Sequence, residues 1–119
     1  MILVVDDEPT NRLLVSATLG AFGYGVVEAE NGHEALRLVG EHRPDLIVLD
    51  LSMPGMDGAT FLKALRGEAA SDAEVALYTA STPTAAMRDF MTLFDIGYLI
   101  PKPCEPEEML RIVRNALSR

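Results

Sequence analysis

The sequence predicts a doubly wound α/β fold, with five short strands forming a parallel sheet and five helices covering both of its faces. Two observations carry this expectation. Short apolar runs recur along the chain, and the segments between them place apolar residues at helical spacing. The runs are also continuous rather than alternating polar with apolar, which is the pattern of strands buried on both sides.

The first run, Ile2 to Val5, is followed by a helical stretch carrying Leu13, Leu14 and Ala17. A second run, Gly25 to Ala29, precedes Ala35, Leu36 and Val39, and Asn31 is placed to cap that helix because its side chain can accept an otherwise unpaired backbone N–H. The third run, Leu46 to Leu49, precedes Phe61, Leu62 and Leu65, with Asp57 as the expected cap. The fourth, Val75 to Tyr78, leads to Met87, Phe90, Met91 and Phe94, with Pro83 suited to a first turn that needs no backbone donor. Tyr98 to Ile100 is the fifth, and Pro106 opens a final helix bearing Met109, Ile112, Val113, Ala116 and Leu117.

A chain of 119 residues fits one domain spanning residues 1–119. At 49% hydrophobic and 24% charged, it matches ordinary globular proteins and not disordered or disulfide-stapled ones. The net charge of −8 repels phosphate backbones and anionic membranes, so the expectation is no direct nucleic-acid contact and no membrane association. The single cysteine, Cys104, can form neither an intrachain disulfide nor a clustered zinc site, which fits a reducing, cytoplasmic setting. The opening MILVV is too short for a membrane span and lacks the basic stretch of a signal peptide.

In a sheet of this kind the chemistry lies at the carboxyl ends of the strands. The first strand ends in Asp6, Asp7 and Glu8, the third in Asp50, the fourth in Thr79, and the fifth in Pro101, Lys102 and Pro103. Carboxylates brought together there repel one another unless a hard cation or an ammonium balances them, and Mg²⁺ suits few carboxylates plus phosphate oxygens. Asp50 could then attack a phosphoryl group while Mg²⁺, Lys102 and the Thr79 hydroxyl stabilise charge on its oxygens.

Four segments together resemble the receiver domains of two-component response regulators: VVDDEP at Val4 to Pro9, LIVLDLSMPGMDG at Leu46 to Gly58, TAS at Thr79 to Ser81, and PKP at Pro101 to Pro103. The resemblance spans essentially the whole chain and implies a flavodoxin-like (βα)5 fold with strand order 2-1-3-4-5. It implies Asp50 as phosphoacceptor, Asp6 and Asp7 as the metal-binding pair, and the Ser52 backbone carbonyl as a further Mg²⁺ ligand. Thr79 and Lys102 match the family's hydroxyl and amine. Pro54 and Gly58 match its turn positions, and the Lys102–Pro103 bond is expected to be cis.

The family generally places an aromatic switch residue three positions before the lysine, where this chain has Leu99. Tyr98 lies four before but at the family's offset from Thr79, so Tyr98 is the candidate switch partner of Thr79, with an extra residue accommodated by a bulge near Pro101.

The function implied is a signalling switch, not a metabolic enzyme. A histidine kinase or histidine phosphotransfer protein supplies the phosphoryl group, the domain catalyses its own phosphotransfer and dephosphorylation, and an output protein reads the result. Ser81, like Ser52, flanks the site and could influence water access to the phosphoryl group. The apolar excess on the fourth helix suggests a partner or dimer contact through the fourth helix, fifth strand and fifth helix. A scaffold or pseudo-receiver without productive switching is the alternative. A flavin or nucleotide binder is disfavoured because no glycine-rich, lysine-bearing loop follows the first strand. His33, His42 and Lys63 read as solvated residues, and Cys104 as a small packed hydrophobe.

Overall fold

The computed structural model describes residues 1–51, 58–80 and 84–118. Strands β1 (Ile2–Val5), β2 (Val26–Ala29), β3 (Leu46–Leu49), β4 (Glu74–Thr79) and β5 (Tyr98–Pro101) form one parallel sheet in the order β2-β1-β3-β4-β5. Helices α1 (Pro9–Ala21), α2 (Gly32–His42), α3 (Gly58–Arg66), α4 (Ala85–Leu93) and α5 (Pro106–Leu117) alternate with them. This is the architecture anticipated, with β4 extended by Glu74 and Thr79 and β5 by Pro101 relative to the apolar runs.

The two-residue period of the strands divides the core into two layers. Leu3, Val5, Ile47, Leu49, Val75 and Leu77 pack with Phe61, Leu62 and Leu65 of α3 and the inner residues of α2, and α4 leans on this layer through Phe90 and Met91. On the opposite face Ile2, Val4, Leu46, Val48, Ala76, Tyr78 and Ile100 pack with Val15 and Leu19 of α1 and with Met109, Ile112 and Val113 of α5. Burying a strand side chain such as Leu3 or Ile47 contributes about 1.5–3 kcal/mol, so strand identity and face are set mainly by burial.

Helix ends follow local chemistry. Asn31 caps α2 by accepting the Glu34 N–H at 2.8 Å, as its position predicts. Pro106 occupies the first turn of α5, where its missing N–H goes unnoticed. Glu8, read from sequence only as part of the acidic strand end, instead caps α1 by accepting the Thr10 N–H at 3.1 Å. Thr84 caps α4, which therefore starts at Ala85; Pro83 and the expected cap Asp57 lie outside the described residues.

The expected bulge near Pro101 is absent. Pairing of β5 with β4 runs without interruption from Tyr98 opposite Ala76 to Pro101 opposite Thr79, and the Lys102 N–H continues it to the Thr79 carbonyl at 2.9 Å. In a parallel ladder alternate residues face the neighbouring strand, so Lys102 and Ile100 bond toward β4 while Pro101 faces the open edge. A proline there gives up no ladder hydrogen bond, and nothing has to bulge.

Candidate functional site

The register that pairs Val5 with Leu49 sets Asp6 beside Asp50, one residue beyond the sheet on each strand. The Asp50 N–H extends the ladder to the Val5 carbonyl at 3.0 Å. Both carboxylates are buried, Asp6 at 0% exposure and Asp50 at 4%. Asp7, the exposed third member, places a carboxylate oxygen within 4.8 Å of both.

Lys102, at the end of β5, reaches into this cluster. Its Nζ lies 3.3 Å from Asp50 Oδ2 and 3.5 Å from Asp6 Oδ2. The face of the Tyr78 ring closes the other side, with its centroid 4.6 Å from the same nitrogen. The Lys102–Pro103 peptide is cis, as the resemblance implied.

Burial raises the Asp6 carboxyl above its ordinary 3.8. The Glu8 N–H donated to Oδ1 at 2.9 Å and the Lys102 ammonium oppose that shift, and the charge of Asp50 adds to it. Among the described residues three carboxylates gather around the Lys102 ammonium, a hard, acidic donor set that fits a divalent cation. Asp6, Asp7 and Asp50 could hold such an ion. The Ser52 carbonyl, the remaining expected ligand, lies outside the described residues, as do Pro54 and Ser81.

Thr79 ends β4 half-buried, its carbonyl bonded to the Lys102 N–H. Strand alternation puts its side chain on the face of Leu77, toward α3 and α4. Tyr98 belongs to the other face: it packs with the α1 and α5 layer, and its hydroxyl donates to the Asn115 carbonyl of α5 at 3.4 Å. The structure therefore does not bring Thr79 and Tyr98 together. With no bulge to reverse the alternation, Leu99, paired with Leu77, and Pro101, paired with Thr79, are the residues of β5 that share the Thr79 face.

Gly58 opens α3 against Leu51, the residue after Asp50; a Cβ there would come within 2.5 Å of Leu51 Cδ2. The glycine permits this close approach. His33, His42 and Lys63 are exposed, and Cys104 packs against the α5 layer, as read from sequence.

Two contributors escaped the sequence reading. Arg12 of α1 donates from Nη1 to the Asp6 carbonyl at 2.8 Å and pairs through Nε with Glu28 of β2 at 3.1 Å, tying the acidic end of β1 to its neighbours. Tyr78 was read only as the end of an apolar run. Its signal was parity: residues 78 and 100 are paired and face one way, and 102 follows 100 by one strand period.

Comparison with known proteins agrees with this geometry. The chain is 36% identical to the protein named "Probable transcriptional regulator ycf27" of Porphyridium aerugineum, over 99% of this chain and 48% of that one. It is 35% identical to the DNA-binding response regulator MtrA of Mycolicibacterium smegmatis, over 99% and 50%. The chain thus spans about half the length of the curated relatives it matches. Among solved structures, the chemotaxis protein CheY4 of Vibrio cholerae superposes with a TM-score of 0.89 at 32% identity, covering 98% of this chain and 97% of that one. The family model for the response regulator receiver domain matches residues 2–114, and this chain belongs to that family.

Proposed function

We propose that this receiver domain works as a phosphorylation switch in which Asp50 accepts a phosphoryl group from a phosphohistidine of a histidine kinase or phosphotransfer protein. One observation carries the reading: the Lys102 ammonium bridges two buried carboxylates, Asp6 and Asp50, with a third, Asp7, at their side. An Asp50 oxygen forms a bond to phosphorus as the phosphorus–nitrogen bond of the donor breaks, and the electron pair leaves with the imidazole. Lys102 balances charge on the phosphoryl oxygens, and we assign the Thr79 hydroxyl the same role. Hydrolysis by water later returns the carboxylate and free phosphate.

Mg²⁺ is the cation we assign to Asp6, Asp7 and Asp50, where it would neutralise the acids and polarise the phosphoryl group. Asp6 and Asp50 are held by the sheet ladder and Asp6 further by Arg12, so the carboxylates are set before donor arrives. Leu13 and Leu14, 64% and 53% exposed about one turn into α1, offer the donor an apolar surface beside the site. Leu93 of α4, 76% exposed, offers one to an output partner or a second copy through α4, β5 and α5. Among the described residues no helix is long and apolar enough to cross a membrane, and we place the switch in the cytoplasm. We assign these residues no nucleic-acid contact, given their charge of −8.

The test is incubation with Mg²⁺ and acetyl phosphate, followed by intact mass. Wild type should gain one phosphoryl group, while Asp50→Asn and a chelated sample should not. An unmodified wild type would move the protein to the scaffold reading.

A further inference from the structure

The contacts around Lys102 are of two kinds. Asp6 and Asp50 are charged groups that, on the reading above, also engage a cation and a phosphoryl group. The Tyr78 ring engages neither. It attracts the ammonium through the negative face of its π system and leaves the positive charge intact for use elsewhere.

The ring is well placed for this. Tyr78 is 3% exposed, fixed in β4 and packed in the layer of Val48, Ile100 and Met109. Lys102 is only 16% exposed at its side chain, so the contact is largely shielded from water. Prolines on both sides restrict the Lys102 backbone, and the ring then restricts its far end. Burial first, and then the charges of Asp6, Cys104 and Asp50, push the Tyr78 phenol above its ordinary value, so the ring is a neutral phenol at neutral pH. An aliphatic residue would fill the same layer without a quadrupole.

We propose that Tyr78 is a positioning residue for Lys102: its ring face holds the ammonium at the mouth of the acidic pocket and sets how tightly the site grips a phosphoryl group. This rests on Asp50 being the phosphoacceptor. Tyr78→Phe keeps the ring, whereas Tyr78→Leu and Tyr78→Met remove it and retain apolar bulk.

The probe is fluoroberyllate with saturating Mg²⁺, titrated calorimetrically into the full chain, with Mg²⁺ alone titrated in parallel. A partly shielded cation–π contact of about 1 kcal/mol corresponds to about fivefold in affinity. Leu and Met variants should lose about fivefold in fluoroberyllate affinity, with Mg²⁺ affinity within about twofold of wild type, and Phe should match wild type in both. Unchanged fluoroberyllate binding in the Leu and Met variants would overturn the proposal. So would a loss shared by Phe, which would implicate the hydroxyl, or an equal loss of Mg²⁺ affinity, which would mean general damage to the pocket. Failure of wild type itself to bind fluoroberyllate would instead sink the phosphoacceptor reading.

Discussion

Replacing Asp6 with asparagine is expected to stabilise the metal-free protein. The substitution is nearly isosteric and keeps an oxygen for the Glu8 N–H, so it changes mainly charge. At an effective dielectric constant of about 20, the attraction of Asp6 to Lys102 at 3.5 Å is about 4.7 kcal/mol. The repulsion from Asp50, within 4.8 Å, is at least about 3.5 kcal/mol, and the exposed Asp7 adds a smaller amount of the same sign. About 1 kcal/mol of net attraction then stands against a burial penalty of several kcal/mol for a fully buried ion. Allowing for the backbone hydrogen bond that asparagine retains, Asp6→Asn should gain about 1–2 kcal/mol, or about 4–8 °C in Tm for a chain of this size.

The same balance fixes a pH dependence. Because burial raises the Asp6 carboxyl above 3.8, the folded chain keeps that proton at pH values where the unfolded chain has released it. The associated stability is complete below the unfolded value and is lost as pH rises through the folded one. Thermal melts of wild type and Asp6→Asn in chelator, repeated across pH, should show a gap that opens upward from about pH 4. Adding Mg²⁺ should then narrow it, since wild type gains about 1.4 kcal/mol at tenfold excess over its Kd and the variant gains less. An Asp6→Asn protein less stable than wild type in chelator at neutral pH would refute the reasoning, because the Lys102 pair would then outweigh burial.

Phe61→Ala should destabilise the fold by about 3–5 kcal/mol in urea melts, since the ring is 1% exposed at the centre of the α2–α3 layer; a loss under about 1 kcal/mol would show that the layer closes over the void. Asn31→Ala should lose about 1 kcal/mol with the α2 cap, measured in the same way, and a null result would mean water caps the helix equally well. Tyr98→Phe removes a long, exposed hydrogen bond to Asn115, so stability should fall by less than about 0.5 kcal/mol and phosphorylation by acetyl phosphate should keep its rate. A severalfold change in that rate would show Tyr98 coupled to the site across the sheet.

What could be read from sequence was what depends on period and sequence-local chemistry. Short, mainly apolar runs locate all five strands, the second despite its Glu28, and the residues just past the first, third and fifth runs locate Asp6, Asp7, Asp50 and Lys102, because parallel strands in register must bring their carboxyl ends to one edge. Asn31 and Pro106 were legible for the same reason, since a cap is decided within four residues. Contacts that depend on which face of the sheet a residue takes were harder. Counting along the chain matches Tyr98 to Thr79, but the sheet sends the two side chains to opposite faces, because an edge-facing Pro101 needs no bulge and the alternation is not reversed. Arg12 and Tyr78 act through a carbonyl and a ring face, and neither residue type announces such a role on its own.

Helix α4 differs from its neighbours in having no fully buried residue; Phe90 and Met91 only lean on the sheet layer, and Leu93 is largely in water. Local opening free energy tracks the apolar surface an element hides, so α4 should release its amide protons to solvent well before α5, which buries five side chains. Slow and fast exchange would thereby separate a frame that keeps the acids in register from a helix that can change its pose at small free-energy difference. If Asp50 is the phosphoacceptor, as proposed, its signal would meet least resistance on the side of the molecule where α4 lies.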